Sequence, residues 1–419
     1  PPPLHPRNTR APMESKPNTF HRRKFLGASM GLAAAAGAAS CSSKATTAPD
    51  TSSSTSENAL PENLSADDFL NHGQNPWTLE TRREELQGAI TPTDKIFVRG
   101  NLPFPDASIV DKADAWSVSI EGVKSPRSMT VADLKSLGSR TIAAVLQCSG
   151  NGRKFFEHGP SGSPWGVGAA ANVLWTGIPL KTVIDELGGV DGGGKQFITG
   201  TGGEAIPAGL PERDVVVERS IPIEKAMADA MLCWDLNSEP IPLSHGGPLR
   251  LVVPGYYGIN NVKYLTKLVA ADSESDAKIQ AKSYRVRPIG ESGAPTQPSM
   301  YAMNVKSWIT GPLGASTAKA GRHIVKCVAF CGEATVASVE ISMDGGATWT
   351  TAQPTSDLDL GPFAWREYMA AWDAKPGQHT LMSRATDSNG NVQPELRLEN
   401  ERGYAHNGWR DHGVTVTIA

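Results

Sequence analysis

The chain has 419 residues and a formal net charge of −3, with 40 Lys and Arg against 43 Asp and Glu. This length exceeds one ordinary hydrophobic core and predicts at least two domains. The balanced charge argues against a nucleic-acid partner, and a hydrophobic content of 39% excludes a multi-span membrane protein. The 42 glycines and 31 prolines favour turns and β structure, and five cysteines are too few for a disulfide scaffold.

The beginning of the chain has the pattern of an export signal. A basic segment at residues 21–24 (HRRK) precedes an uncharged run, rich in Ala and Gly, over residues 27–40. This order is typical of a secretory signal, and the run is too short to span a bilayer. The paired Arg22 and Arg23 indicate the twin-arginine pathway, which exports folded proteins. We therefore expect residues 1–41 to be an export signal and the protein to work in the periplasm or at the outer face of the cytoplasmic membrane.

Cys41 ends this run and leaves two interpretations open. One is a lipid anchor at Cys41, and the other is cleavage at small residues such as 36–38 (AGA) without lipid. Residues 42–66 are rich in Ser and Thr with little apolar content, which predicts a flexible tether. A tether directly behind an anchor is coherent and mildly favours the lipid-anchored interpretation.

Residues 67–290 are predicted to form a mixed α+β domain, in which short helices alternate with short strands. The predicted helices lie at 130–137, 179–187 and 222–230, after a helix and loop over 68–95. The predicted strands lie at 96–99, 116–120, 141–147, 214–218 and 249–253. Thr130 is the predicted cap of the first of these helices.

Residues 291–419 are predicted to be all-β. Turn signals occur at 344–346 (DGG) and 388–391 (SNGN). The predicted strands lie at 325–330, 337–343, 349–352, 365–372, 379–386 and 414–418. Regular short strands with such turns predict an immunoglobulin-like sandwich.

The Cys148 loop, residues 146–153 (LQCSGNGR), is the most unusual segment. Cys148 stands at the end of a predicted strand and is followed by two glycines, an amide and an arginine. A thiolate needs nearby positive charge and donors to lower its pKa, and glycines let the backbone approach a bulky group closely. The loop therefore fits a nucleophile or a single ligand to a soft metal. A buried cysteine before a turn is an equal alternative.

A second segment carries cationic groups between turns. His245 and Arg250 flank a Gly-Pro turn in residues 244–255 (SHGGPLRLVVPG), and Lys263 follows. Cationic or donor side chains around glycine-rich loops suit a phosphate. Each alone is more typical of a surface charge, but together with the Cys148 loop they form a pattern.

These motifs resemble the sulfite oxidase family of molybdenum enzymes over residues 95–419. In the first domain the resemblance rests on residues 97–103 (FVRGNLP), 146–153 (LQCSGNGR), 164–168 (PWGVG), 175–177 (WTG), 245–250 (HGGPLR) and 261–263 (NVK). In the second domain it rests on residues 341–349 (ISMDGGATW) and 365–366 (WR), similar to the family's immunoglobulin-like dimerisation domain. The resemblance implies a mixed α/β molybdopterin domain followed by an all-β sandwich, which is an α+β fold class.

The resemblance also implies roles for individual side chains. Cys148 would be the only protein ligand to molybdenum. The pterin and its phosphate would be held by Phe97, Arg99, Asn101, His245, Arg250, Asn261, Val262 and Lys263. The substrate would be bound by Arg99, Arg153, Arg366, Trp165 and Tyr284. Planar guanidinium groups suit this task because they match a small oxyanion with paired hydrogen bonds.

The activity implied by the resemblance is oxidation of sulfite to sulfate by oxygen-atom transfer, with a Mo-molybdopterin cofactor. The sequence has no C-x-x-C-H motif for haem. We therefore expect no haem in this chain and electron transfer to an external c-type cytochrome. A homodimer is also implied.

Two other functions stay open. One is a sulfane dehydrogenase-like or other molybdenum oxidoreductase that acts on a different sulfur or nitrogen oxyanion. The other is an exported binding lipoprotein, which would contain no molybdenum.

The chain departs from the family pattern at two places in this domain. Gly152 precedes Arg153 where many members have a second arginine. An acidic pterin contact is expected near Gly202, and this chain has residues 202–204 (GGE) there. Either Glu204 substitutes or the contact is missing.

Several cysteines and histidines are predicted to have packing roles. Cys233, Cys327 and Cys331 are expected to be core thiols, since no second cysteine pair accompanies 327 and 331. His406 and His412 are expected to be loop or packing residues.

Overall fold

The computed structural model describes residues 60–314 and 318–419. The predicted export signal, Cys41 and most of the predicted tether lie outside these residues. The helices are short: α1 Ser108–Asp111, α2 Val131–Ser136, α3 Leu180–Glu186, α4 Glu212–Val215 and α5 Ile223–Asp229, with a π-helical turn at Ile279–Ser283. None of the helices in the described part of the chain is long and apolar enough to cross a membrane.

In residues 60–314 and 318–419, twenty-one strands make up most of the regular structure. In the first half they are β1 Phe69–Gln74, β2 Trp77–Thr81, β3 Val98–Arg99, β4 Ser117–Glu121, β5 Arg127–Thr130, β6 Arg140–Gln147, β7 Ala170–Pro179, β8 Phe197–Gly202, β9 Glu218–Pro222, β10 Met231–Leu236, β11 Glu239–Pro240, β12 Arg250–Val252 and β13 Leu265–Ala271. In the second half they are β14 Lys306–Gly311, β15 Gly321–Phe330, β16 Val336–Ser342, β17 Thr350–Thr351, β18 Gln353–Pro354, β19 Arg366–Ala374, β20 Gly377–Asp387 and β21 Val414–Ile418.

The first half is a mixed α/β domain built on two larger sheets. One has the strand order β5-β4-β13-β8-β9, and the other has the order β11-β10-β7-β6 with β12 also paired to β10. Helices α2, α3 and α5 bury their apolar faces in the core between them, through residues such as Leu134, Val183 and Ala226. Helix α2 begins at Thr130 as predicted, because the Thr130 and Asp133 side chains form a reciprocal capping box.

The prediction of a helix and loop over residues 68–95 is wrong. Strands β1 and β2 form an antiparallel hairpin there, and β2 continues into pairing with β3. The charged stretch that suggested a helix forms only a short 3₁₀ turn at Arg83–Glu85. The hairpin is favoured because Phe69, Leu79 and Val98 bury one face in a small cluster of their own.

The end of the predicted tether also differs from expectation. Residues Pro61–Asn63 and Ala66–Asp68 form 3₁₀ turns. The Glu62 carboxylate accepts hydrogen bonds from both the Ser244 amide, at 2.8 Å, and the Ser244 hydroxyl, at 2.5 Å. These bonds fix the segment against the domain, so this part of the tether is structured.

The strand predicted over residues 214–218 is shifted. Helix α4 occupies Glu212–Val215, and the strand begins only at Glu218, opposite Thr201 of β8. Val216 and Val217 instead bury their side chains in a separate cluster that includes Ile259. An apolar run is therefore compatible with a buried connection as well as with a strand.

The second half is a β-sandwich, as predicted. Its sheets have the strand orders β14-β15-β19-β18 and β17-β16-β20-β21. The alternating inward residues of both sheets form one core, which includes Cys327 and Cys331. The packing role predicted for these two thiols is thus confirmed, and Cys233 is likewise buried in the first half. The combination of the two halves confirms the predicted α+β fold class.

A separate apolar cluster joins the two halves. Trp308, Phe330 and Trp365 of the sandwich pack with Leu86 and Val145 of the first half in this cluster. Because Val145 lies in β6, which leads directly to Cys148, the sandwich supports the strand that positions this cysteine.

Candidate active site

A cavity opens at the end of β6. Its lining combines one thiol, several cationic side chains and an aromatic wall. The polar and aromatic lining residues are Phe97, Arg99, Asn101, Phe104, Cys148, Ser149, Glu204, His245, Arg250, Asn261, Lys263, Tyr264 and Tyr284. Segments far apart in the sequence therefore meet at this cavity.

The Cys148 loop presents a half-buried cysteine to the cavity. The Cys148 amide donates to the Ala169 carbonyl at 2.9 Å, and the Cys148 carbonyl accepts from the Asn151 amide at 3.0 Å. The Asn151 side chain ties the loop further, because its Oδ1 accepts from the Ala169 amide at 3.1 Å. The backbone amide and carbonyl of Cys148 are thus both fixed by hydrogen bonds, while its thiol remains accessible from the cavity.

The buried His245 and Arg250 and the half-buried Lys263 form a cationic end of the cavity. Arg250 donates to the backbone carbonyls of His245, at 2.8 Å, and Asn261, at 3.1 Å. Lys263 donates to the backbone carbonyls of Ser244, at 2.5 Å, and Arg99, at 3.0 Å. Gly246 allows this close approach, since a Cβ there would lie 2.5 Å from Cγ of Lys263 and φ is +97°.

The electrostatics of this end favour an anion. Burial lowers the pKa of Lys263 to about 7 and that of Arg250 to about 10, and it holds the pKa of His245 well below its usual range. Neither Lys263 nor Arg250 forms an ion pair with a carboxylate of the described residues, although the charge of Glu204 acts to raise the pKa of both. Because this compensation is partial, a bound anion such as a phosphate would stabilise the two cations.

Glu204 is the carboxylic acid of the cavity. Burial raises its pKa to about 7, and its Oε2 is buried without a hydrogen-bond partner among the described residues. An orphaned acceptor inside a cavity suits a donor group of a bound molecule. Of the two alternatives left by the sequence, this position favours the one in which Glu204 supplies the acidic contact.

The other end of the cavity carries Arg99 and Tyr284. The Tyr284 hydroxyl donates to Asn101 Oδ1 at 3.3 Å, and burial raises the pKa of this phenol. The Tyr284 ring stacks on Tyr404 with a centroid distance of 5.2 Å, and the Arg153 guanidinium lies 5.3 Å from the Tyr404 ring centroid. Arg153 is not among the residues that line the cavity, but its Nη2 lies against the Cys148 loop, 2.4 Å from the place of a Cβ at Gly150.

Three further predicted site residues, besides Arg153, do not line the cavity. Val262 is buried in the main core of the first half, and Trp165 is fully buried behind the cavity wall, with its ring edge-on to Phe97 at 6.2 Å. Arg366 does not line the cavity at Cys148, because it lines a second cavity together with Asp359 and Tyr368. The alternation along the strand explains this: Trp365 points into the contact between the halves, so Arg366 points away from it.

Arg402 was not predicted from the sequence, and the structure places it beside Arg153. Arg153 Nε donates to the Arg402 carbonyl at 2.9 Å, and Arg402 Nε is buried without a partner among the described residues. The signal for it was weak, because Arg402 lies in an irregular segment 249 residues from Arg153. Arg402, and not Arg366, is therefore the arginine of the second half that contacts the Cys148 loop, through its backbone carbonyl, while its side chain donates from Nη1 to Ser161 Oγ at 2.8 Å.

Two domain families match the chain. Residues 102–279 match the oxidoreductase molybdopterin binding domain, and residues 297–418 match the Mo-co oxidoreductase dimerisation domain. The fold and the cavity thus define a molybdopterin-binding oxidoreductase with a second, all-β domain.

Individual relatives agree with this class. Mitochondrial sulfite oxidase of Macaca fascicularis is 30% identical over 379 residues, which cover 84% of this chain and 68% of the relative. The Rattus norvegicus enzyme is 29% identical, and the match covers 83% of this chain but only 65% of the rat protein, less than two thirds of its length. The solved sulfane dehydrogenase SoxCD of Paracoccus pantotrophus aligns with a TM-score of 0.70 at 25% identity, over 89% of this chain and 96% of that chain. The chain belongs to the sulfite oxidase family of molybdenum enzymes.

The cofactor of this family is Mo-molybdopterin, and the cavity fits it. Cys148 offers an accessible thiol for the metal. Arg250 and Lys263, together with the neutral ring of His245, suit the pterin phosphate, and the orphaned Glu204 oxygen suits a pterin N–H.

Proposed function

We propose that the protein oxidises sulfite to sulfate and passes the electrons to an external c-type cytochrome. Water supplies the added oxygen, and two protons and two electrons leave for each sulfite. One observation is the main support for this proposal: Cys148 lies in the same cavity as Arg99, Tyr284 and the cationic end. This arrangement supports an anionic substrate beside a thiol-bound metal.

The chain's own residues hold the cofactor and the substrate. Bound molybdenum cofactor supplies the two-electron redox chemistry and the site of oxygen transfer. Cys148 holds the metal, and Arg250 and Lys263 hold the phosphate. Arg99 and Arg153 bind the sulfite oxygens by charge-assisted hydrogen bonds.

Tyr284 orients the substrate by donating its single hydroxyl proton to it in place of Asn101 Oδ1. Because burial raises its pKa, the phenol stays protonated at neutral pH and remains a donor. The neighbouring guanidinium groups repel one another without substrate, and an anion relieves that repulsion. The positive charge of the site therefore favours anionic substrates over neutral ones.

A second candidate is a sulfane dehydrogenase-like activity. Its support is the alignment with SoxCD over nearly the whole of both chains. Steady-state reduction of cytochrome c with sulfite, thiosulfate, nitrate and sulfoxides as alternative substrates would separate the candidates. The proposal expects the highest kcat/KM with sulfite, and a clear preference for thiosulfate would contradict it.

We further propose that the protein acts outside the cytoplasm as a homodimer. The location rests on the twin-arginine pattern at Arg22 and Arg23. Cell fractionation of a double Arg22→Lys, Arg23→Lys variant tests it, with retention in the cytoplasm as the expected result. Continued export through the general secretory route would contradict the twin-arginine assignment but leave the activity unaffected.

A further inference from the structure

Lys306 is a lysine buried in the sandwich, close to the contact between the two halves. It begins β14, is 1% exposed, and donates from Nζ to the Asn151 backbone carbonyl at 3.2 Å. Burial alone lowers its pKa to about 7 from an ordinary value of 10.5, since no carboxylate of the described residues compensates its charge. A buried amine without a counter-ion costs stability, and such groups cluster at functional sites.

The acceptor of this bond belongs to the Cys148 loop. The other polar groups of Asn151 are already engaged within the first half: the amide with Cys148, Oδ1 with Ala169, and Nδ2 with Gln147 at 3.1 Å. The Asn151 carbonyl is the group that faces the sandwich, and Lys306 binds it there. The lysine thus contacts the loop three residues beyond the proposed metal ligand.

The next residue of the loop is held from the same side. Gly152 has a left-handed φ of +101°, and a Cβ there would lie 2.4 Å from Cγ of His406. The His406 ring is fixed in turn by a 2.8 Å hydrogen bond between its Nε2 and Asp411. Burial lowers the pKa of His406 to about 4, so the ring is neutral at pH 7 and acts by packing.

The loop also meets this part of the chain through its backbone. The Ala405 amide donates to the Ser149 carbonyl at 3.0 Å, and Asn304 Nδ2 donates to the Ala405 carbonyl at 3.0 Å. Residues 304–306 and 402–406 therefore form one surface against the turn between Cys148 and Arg153.

We propose that Lys306, supported by His406, is a positioning residue that sets the orientation of the Cys148 loop from the sandwich. The hydrogen bond from its Nζ fixes the Asn151–Gly152 peptide, which fixes the direction in which Arg153 leaves the turn. The accessibility of Cys148 and the placement of Arg153 then depend on the second half of the chain. Only the substrate-affinity consequence of this role rests on the proposed function.

Three variants separate the hydrogen bond from the charge. Lys306→Met keeps the length of the side chain and removes both, whereas Lys306→Gln keeps an N–H donor without charge. Lys326→Met is the matched control, since Lys326 is an exposed lysine of the neighbouring strand β15. Each variant is expressed as the full chain and examined with and without cofactor.

The first readout is the rate at which iodoacetamide alkylates Cys148 in cofactor-free protein, measured by mass spectrometry of the Cys148 peptide. Cys233, Cys327 and Cys331 are buried and serve as internal references. Loss of this hydrogen bond should change the equilibrium between the fixed and the loosened Cys148 loop by about tenfold. Cys148 in Lys306→Met should therefore be alkylated about tenfold faster. Lys306→Gln should stay close to the parent, and Lys326→Met should match it.

The second readout compares melting temperature with KM. Because burial of the ammonium is costly, Lys306→Met should melt no lower than the parent at pH 7. In cofactor-loaded protein it should raise the KM for sulfite by about tenfold with a smaller change in kcat.

Two results would overturn the proposal. One is alkylation of Lys306→Met at the parental rate. The other is faster alkylation in both Lys306 variants together with a lower melting temperature, which would mean general loosening of the fold. If sulfite is not the substrate, the parent itself shows no KM, and the alkylation rates still decide the role of Lys306.

Discussion

Arg153 has one guanidinium nitrogen available for a substrate. Its Nε and Nη1 donate to the backbone carbonyls of Arg402 and Ser163, both at 2.9 Å, while its Nη2 makes no hydrogen bond with a described residue. We expect Arg153→Gln to raise the KM for sulfite by about tenfold or more, the usual effect of losing a charge-assisted hydrogen bond. Steady-state kinetics test this, with Arg322→Gln on the exposed face of β15 as the control. An unchanged KM would remove Arg153 from the substrate site.

The buried lysines also make a prediction about pH. The pKa values of Lys263 and Lys306 are lowered to about 7, so between pH 7 and about 8.5 both are protonated in the unfolded chain and largely neutral in the folded one. The unfolded state then binds more protons, and the free energy of unfolding must rise with pH across this window. Each lysine contributes up to about 1.4 kcal/mol per pH unit.

Denaturant unfolding of cofactor-free protein at several pH values measures this slope. Lys263→Met should remove about half of it, while Lys326→Met should leave it unchanged. A parental stability that falls or stays level over the window would show that neither buried lysine is neutral in the fold.

The residues that carry the site could largely be predicted where they lie in compact motifs. Cys148, His245 and Arg250 line the cavity as expected, since each stands beside glycines or a turn that shapes its own surroundings. The sequence could not show which of Arg366 and Arg402 lies near the Cys148 loop. Their positions depend on how the sandwich docks on the first half, which involves contacts between residues far apart in the sequence.

Among the elements, the β1–β2 hairpin has a specific role at the site. Glu80 in β2 is buried, and its carboxylate accepts from the amides of Gly166, at 2.9 Å, and Gly168, at 3.0 Å, and from His72 at 2.7 Å. These bonds hold the turn that carries Trp165 behind the cavity wall.

We expect Glu80→Gln to lower the free energy of unfolding by about 2 kcal/mol, because a buried acceptor is replaced by a group with an unsatisfied N–H. Chemical denaturation measures the change. Glu84→Gln, at an exposed position of the following turn, is the control and should have little effect. Equal stabilities of the two variants would exclude the anchoring role of Glu80.

Elements with strong local signals were predicted well and the others were not. Helix α2 has a complete capping box, and strands such as β6 and β20 are long and clearly bounded. The hairpin β1–β2 was missed because its strands are stabilised by pairing and by one small cluster. Its residues, taken alone, have no strong preference for a strand.

At the level of the whole molecule, the two halves form one functional unit. The sandwich contributes Arg402 and Lys306 to the surroundings of the Cys148 loop, in addition to its match to a dimerisation domain. We expect the purified protein to sediment with about twice the mass of one chain in analytical ultracentrifugation. A monomer at micromolar concentration would contradict the proposed homodimer.

The most direct test of the account is sulfite-dependent reduction of cytochrome c by the molybdenum-loaded protein and its Cys148→Ser variant. We predict that the parent contains about one molybdenum per chain and reduces cytochrome c only when sulfite is present. The variant should lose this activity while its melting temperature stays close to that of the parent, since serine is nearly the same size and the half-buried thiol lines the cavity at the edge of the core. Full sulfite-dependent activity in Cys148→Ser would contradict the central claim that this thiol holds the catalytic metal.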